Sequence, residues 1–332
     1  MNLIPNKTEF SDAEHAELRE TVKRIQQAER ISEAELCRQA DLSASVVNSY
    51  LRAKYTGKND PVAAKLNRWV QSRREAEGLR RRLPTKPSFQ SLGVSRMIAG
   101  RLDFARLTGQ IVMVTGVPGA GKTATAQQYA LDHPRTYLAT MDPATRGVPT
   151  MLLAILEAMG ITDVRGTPMQ LSQRVVAKAM EAESLLIIDE AQHLSEQAIE
   201  QLRSINDKTE QRGRGLGIAL LGNEEANAKI GPTGIKPVFA QVSSRVASRK
   251  YIDAPRREDV VQLANAWAAA NDEVLGRAEL DFLVEIAMRP GGLRNVRMVF
   301  QDALLTAIGL GEPLELRHLR AAYSSITDLR TV

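Results

Sequence analysis

The sequence predicts an α/β fold, a mostly parallel sheet flanked by helices, with a small helical domain before it and a second helical region after it. Three observations predict this. Between Ile111 and Ile252, five short runs rich in β-branched and aliphatic residues alternate with helical patterns, as strand–helix–strand crossovers do. Before residue 82 and after residue 255, apolar residues recur at helical spacing and no strand-like run occurs. The basic run Arg80, Arg81, Arg82 and the prolines Pro84 and Pro87 separate the first helical region from the rest, because proline stops a helix and like charges repel.

The composition permits such a chain. Its 332 residues suffice for two or three domains. An apolar fraction of 43% and a charged fraction of 25% support a folded core and argue against wholesale disorder. One cysteine, Cys37, cannot form an internal disulfide, and no metal-ligand cluster accompanies it; a reducing, cytoplasmic location is expected. The first residues carry neither a basic leader nor an apolar run, so no membrane association is expected. A net charge of +5 leaves room for a nucleic-acid partner.

In the first helical region Leu18, Val22 and Ile25 share a face, then Leu36, Cys37 and Ala40, then Val46, Val47, Tyr50 and Leu51. The stretch LCRQADLSASVVN has helix-turn-helix spacing, with a turn at Asp41 and Leu42 and an N-cap at Ser43. Asp41 stands where glycine is commonest, and Asp tolerates the left-handed conformation better than most residues. The second helix offers Ser45, Asn48, Ser49 and Arg52, followed by Lys54 and Lys58: polar groups for bases and cations for phosphates. The same face also suits a helical protein-interaction module.

The strands are expected at Ile111–Thr115, Arg135–Ala139, Leu185–Ile188, Ile218–Leu221 and Lys250–Ile252. Helices are expected at Val260–Ala270, Leu280–Met288, Leu293–Ile308 and Leu316–Tyr323. The segment IVMVTGVPGAGKTATAQQYA places a buried strand, then GxxxxGKT, then a helix, which is the context a P-loop requires. Gly116, Val117, Pro118, Gly119, Ala120, Gly121, Lys122, Thr123 and Ala124 form the expected cradle for ATP. Backbone N–H groups and a helix N-terminus face the phosphates, Lys122 adds a cation, and Thr123 offers its hydroxyl to Mg²⁺. LLIIDE places Asp189 to hold Mg²⁺ and Glu190 to orient or deprotonate the attacking water. IALLGN ends in Asn223, placed to sense the γ-phosphate or position the water, with a plain turn residue as the alternative.

This order of motifs resembles the AAA+ ATPases. The resemblance implies an arginine finger, supplied to a neighbouring subunit, from Arg245 or Arg249 in SSRVASRKY, and a second sensor at Arg294 in GGLRNV. Arginine suits both roles, since its planar, permanently charged fork matches developing phosphoryl charge. The stretches GVPGAGKTATAQQY, LLIIDEAQHL, EQLRSIND, ALLGN, FAQVSSRVASR, RPGGLRNV and SYLRAKYTGKND are similar to the B transposition proteins of Mu-like phages across nearly the whole chain. The segment Asp207 to Leu216 departs from that pattern, being longer and richer in Arg and Gly.

What the resemblance implies is an ATP-dependent, largely non-sequence-specific binder of duplex DNA. It would oligomerise on target DNA as a ring or filament, recruit or activate a transposase, and leave when ATP is hydrolysed. DNA would then also meet the inward face of the ATPase module, where Arg146, Arg174, Lys178, Lys208, Arg212 and Arg214 are candidates, each with plain surface solvation as the alternative. The expected organisation is a helix-turn-helix domain over residues 1–82, a basic linker over 83–96, an AAA+ P-loop domain over 97–254 and a helical lid over 255–332. A sequence-specific regulator or replication-loader ATPase is the alternative.

Overall fold

The computed structural model describes residues 9–81, 83–162, 164–213, 215–230 and 244–328. Arg82, Arg214 and the first residues of the FAQVSSR stretch lie outside them. Contacts divide the chain into two units, Met1–Leu83 and Pro84–Val332.

The first unit is helical. Ser11 caps α1 (Asp12–Glu29) in a reciprocal capping box with Glu14, which satisfies orphan N–H groups at the helix start. Ser32 caps α2 (Glu33–Ala40), and α3 (Ala44–Leu51) follows across a three-residue turn. Asp41 closes α2 in the left-handed region at φ 52°. Lys65 from α4 (Asn59–Arg81) holds it there, donating to both the Asp41 carboxylate and its carbonyl at 2.7 Å. Ser43 occupies the cap position of α3 but makes no side-chain capping bond. Leu18, Val22, Leu36, Cys37, Ala40, Val47 and Tyr50 meet Val62, Leu66, Trp69 and Val70 of α4 in one core, with Ile25, Val46 and Leu51 half-buried at its margin.

The second unit is built on a five-stranded sheet in the order β2-β3-β4-β1-β5, every pair parallel. The strands are β1 (Ile111–Gly116), β2 (Thr136–Thr140), β3 (Leu185–Asp189), β4 (Gly217–Gly222) and β5 (Val246–Ile252). Burial on both faces explains why β1, β3 and β4 run apolar rather than alternating over residues 111–114, 185–188 and 218–221. Period-two geometry still sorts their side chains. Val112, Val114, Leu185, Ile187, Ala219 and Leu221 face one apolar cluster; Ile111, Met113, Leu186, Ile188, Ile218 and Leu220 face the other.

The first face is covered by α5 (Gly93–Thr108) and α6 (Lys122–Asp132), and the cluster continues into α11 (Arg257–Ala269), α12 (Arg277–Ala287), α13 (Gly292–Leu310) and α14 (Leu316–Asp328). The helices after residue 255 therefore share a core with the sheet. The second face carries α7 (Val148–Ala158), α8 (Pro168–Ala179), α9 (Glu196–Gln211) and Ala226 of α10 (Glu224–Ile230). Helix α5 begins at Gly93, inside the stretch expected to be linker. Its first N–H groups, on Gly93 and Val94, donate to the buried carboxylate of Asp259, a capping partner 166 residues away that no local pattern announces.

Hydrogen bonds tie α9 to the residue before β4 and to the turn before β1. The buried Asn206 amide donates to the carbonyls of Gly109 and Leu216, both at 2.8 Å, and Thr209 Oγ1 accepts from the Leu216 N–H.

Candidate functional site

In a parallel sheet every strand ends at the same edge, and ligands bind in the crevice outside those ends where the chain order reverses. Strand β1 meets this condition, with β4 on one side and β5 on the other. The loop after β1 runs into α6, whose first residue is Lys122. The N–H groups of that first turn, including those of Thr123 and Ala124, lack partners within the helix, an arrangement suited to anions. Lys122 Nζ lies over the loop, donating to the carbonyls of Gly116 at 2.9 Å and Val117 at 3.0 Å. Burial pushes its pKa down, opposed by the nearby carboxylates of Glu190 and Asp189 and reinforced by Arg294.

Gly119 shows why the loop must be glycine there. Its φ is +79°, and a Cβ would stand 1.8 Å from the carbonyl oxygen of Gly291. Helix α13 thus approaches the P-loop backbone to backbone, and the Leu293 N–H donates to the Gly119 carbonyl at 3.0 Å. This contact sets Arg294, exposed on the first turn of α13, beside the loop.

Asp189 ends β3 and is 1% exposed. Its Oδ1 accepts the Glu190 N–H at 3.0 Å, while Oδ2 is buried with no hydrogen-bond partner. Burial raises its pKa more than the Thr123 hydroxyl, the Glu190 N–H and Lys122 lower it. A buried carboxylate with one oxygen lacking a partner, beside the Thr123 hydroxyl, fits a hard divalent cation such as Mg²⁺, which takes oxygen donors and keeps most of its waters. Glu190 follows in the left-handed region at φ 55°, a cost of about 1–3 kcal/mol for a residue with a Cβ, of the kind that clusters at functional sites. Asn223, at the end of β4, lies between the β1 and β3 ends. Its Oδ1 accepts from the N–H groups of Glu225 and Ala226, so Asn223 does serve as a turn and cap.

One buried residue at this edge escaped the sequence reading. Gln192, 7% exposed, lies on the short 3₁₀ turn Ala191–His193. Its Nε2 donates to Glu190 Oε2, and its Oε1 accepts the Asn223 N–H at 3.4 Å. It stands inside the quoted word LLIIDEAQHL, yet no spacing rule gives an amide at that place a task.

The remaining candidates are spread out. Arg245 immediately precedes β5 and pairs with Asp207 at 3.7 Å. Arg249 lies mid-strand opposite Met113, half-buried, with Nη1 donating to the Val246 carbonyl, and burial lowers its pKa. Both sit away from the strand ends that carry the P-loop. Arg146 is exposed in the turn after β2, where its carbonyl accepts from Ser195. Arg174 lines a shallow depression with Arg165, Gln170 and Gln173, and Lys178 pairs with Glu181 at 2.7 Å. Lys208 and Arg212 are exposed near the end of α9. In the first unit Ser45, Arg52, Lys54 and Lys58 are exposed, while Asn48 is half-buried and donates to Glu33.

A sheet in this order, with a P-loop after β1, an acidic pair after β3 and a polar residue after the strand between them, defines a AAA+ ATPase of the P-loop class. The AAA domain family matches residues 105–230, and the family described as Mu B transposition protein, C terminal, matches residues 244–326. The chain is 31% identical over 273 residues to the Mu-like prophage FluMu DNA transposition protein B of Haemophilus influenzae, covering 82% of this chain and 91% of that one. It is 28% identical over 311 residues to the ATP-dependent target DNA activator B of Escherichia phage Mu, covering 94% and 95%. The chain belongs to the B transposition proteins of Mu-like phages and is an ATPase. Among solved structures, the ORC2 protein of Aeropyrum pernix matches with a TM-score of 0.58 at 16% identity over 75% of this chain and 73% of that one. Cdc6p of Pyrobaculum aerophilum matches at 0.55 and 13%, over 73% and 69%; both likenesses are of fold. No described helix is long and apolar enough to cross a membrane.

Proposed function

We propose that the chain is an ATP-dependent, largely non-sequence-specific DNA-binding ATPase that oligomerises on target DNA and recruits or activates a transposase. Family membership supports the setting: the phage Mu relative is an ATP-dependent target DNA activator. The observation that carries the switch mechanism is the placement of the arginines. Val246 pairs with Ile111, at the start of β1, whereas Ile252 pairs with Gly116 at its end. Arg245, one residue further back, therefore lies about 20–23 Å along the strand direction from its own P-loop, at about 3.3 Å per residue. A side chain at that distance serves a nucleotide on a neighbouring chain.

In this mechanism the P-loop and Lys122 bind the phosphates, and Thr123 and Asp189 would hold Mg²⁺, which would neutralise phosphate charge. Glu190 accepts the proton of the attacking water, with Asn223 and Arg294 reading the γ-phosphate. Arg245 or Arg249 of an adjacent subunit completes the site, so ATP favours assembly and hydrolysis releases it. DNA contact is assigned to Arg146, Arg174, Lys178, Lys208 and Arg212 on the ATPase module, and to Ser45, Asn48, Arg52 and Lys54 on α3 and the turn after it. Residues 1–82 act as a helix-turn-helix domain and 255–332 as the lid.

Electron microscopy of the protein with duplex DNA and a slowly hydrolysed ATP analogue tests this. ATP-dependent assemblies that lengthen with arbitrary DNA are expected, and Lys122→Ala should abolish them; full assembly by that variant sinks the nucleotide-switch account. A second reading, a sequence-specific regulator or replication loader, draws on the α2–α3 pair with its left-handed Asp41 turn. Protection confined to one sequence in a footprint would favour it.

A further inference from the structure

We propose that Gln192 is a positioning residue for ATP hydrolysis, one that fixes the Glu190 carboxylate and ties it to the strand end carrying Asn223. The proposal deepens the hydrolytic site assigned above and rests on that assignment of Glu190.

The geometry is that of a two-ended bracket. Glu190 adopts the left-handed conformation, and the 3₁₀ turn that follows, closed by the His193 N–H on the Glu190 carbonyl at 3.0 Å, brings Gln192 back over it. The carboxamide then divides its two functions. Its nitrogen donates to the Glu190 carboxylate, and its oxygen accepts the Asn223 N–H. It is pressed against β4 at Gly222, where an added Cβ would stand 3.1 Å from Gln192 Oε1 and 2.5 Å from the Ala226 Cβ. Glycine at 222 thus leaves the room the amide occupies.

An amide is well suited to this place. It gives a carboxylate one donor and a backbone N–H one acceptor without adding charge. A carboxylate at 192 would repel Glu190, and an apolar side chain would leave both Glu190 Oε2 and the Asn223 N–H short of a partner. With the bracket intact, Glu190 keeps one oxygen for water, and any movement of Asn223 on meeting the terminal phosphate is transmitted to the base through one side chain. The two partners named here, the Glu190 carboxylate and the Asn223 N–H, are not the groups assigned to hold the nucleotide, so nucleotide affinity is expected to be independent of Gln192.

The test compares Gln192→Met, which keeps length and volume but removes both hydrogen bonds, with Gln192→Glu, which keeps the shape and the acceptor but reverses the interaction with Glu190. With duplex DNA present, steady-state ATPase should fall about tenfold to a hundredfold in both variants, the cost of a misplaced reacting group. Binding of a fluorescent ATP analogue should stay within twofold of the parent, which also reports that each variant is folded. In a Glu190→Gln background, adding Gln192→Met should have no further effect, because the two side chains act as a unit. Unchanged turnover in Gln192→Met, with Glu190→Gln inactive, overturns the role of Gln192 alone. A matching loss of nucleotide affinity, or a further drop in the double variant, also overturns it. Normal turnover in Glu190→Gln overturns the base assignment and this proposal together.

Discussion

Replacing Asp189 with Asn should stabilise the protein free of nucleotide and metal while abolishing ATP hydrolysis. Asp189 is 1% exposed, and burial is the largest influence on its pKa, outweighing Thr123, the Glu190 N–H and Lys122. A carboxyl whose folded pKa lies above its unfolded value contributes most below that unfolded value and loses the contribution as pH rises through the folded one. At pH 7 this carboxyl therefore costs the fold stability relative to acid. Asn preserves the acceptor for the Glu190 N–H and replaces an unpartnered anionic oxygen, Oδ2, with a neutral amide. An unsatisfied buried polar group costs about 1–3 kcal/mol, and more when charged, so a gain of about 1–2 kcal/mol is expected, or about 2–8 °C in melting temperature for a unit of this size. Scanning calorimetry at pH 7 without metal should show Asp189→Asn melting above the parent, with the difference closing as pH falls towards 4. Adding Mg²⁺ and ATP should raise the parent more than the variant. A variant that melts at or below the parent at pH 7 without metal would refute the view that this carboxylate is held in the fold for a cation.

Gly119→Ala should cost more than an ordinary surface change, about 1–3 kcal/mol, because φ is +79° and the new methyl meets the Gly291 carbonyl; a nucleotide titration should show weakened binding as the loop shifts. Tyr50→Phe removes the 2.8 Å hydrogen bond to His15 Nδ1 and should destabilise the first unit by about 1 kcal/mol, read by Trp69 fluorescence in denaturant. Burial pushes the Tyr50 phenol up to about 12. The stability it contributes is whole below pH 10, its usual value, and disappears as pH climbs through 12; the Phe variant should lack that alkaline loss. Asn206→Leu strands the Gly109 and Leu216 carbonyls and should cost about 2 kcal/mol in a urea melt.

The strands and the P-loop were legible in the sequence because a doubly buried parallel strand and a glycine-bounded phosphate loop each impose a local pattern. β1, β3 and β4 run apolar without alternation over residues 111–114, 185–188 and 218–221, and every expected strand lies on an observed one within a few residues. The left-handed Asp41 turn was legible for the same reason, a backbone demand written in one residue. Gln192 was not, since its meaning lies in two partners, one of them 31 residues on across the sheet. Nor was the start of α5, whose capping carboxylate arrives from Asp259. The arginines mark a different limit. The resemblance to the AAA+ ATPases nominated Arg245 and Arg249 together, and only strand register shows how far each lies from the loop of its own chain.

The join between Gly119 and α13 has a mechanical consequence. Helix α13 is 19 residues long, a rod of about 28 Å at 1.5 Å per residue, and it is pinned near one end by the Leu293 N–H on a P-loop carbonyl. A rod held there is a lever with its short arm in the phosphate cradle. A tilt of about 10° at the pin sweeps the far end, near Leu310, through about 5 Å, on the order of one helical turn. Sub-ångström adjustments of the loop around a phosphate would thus be read out at the far end as displacements comparable to a whole side chain, with Leu310 as the tip of the gauge.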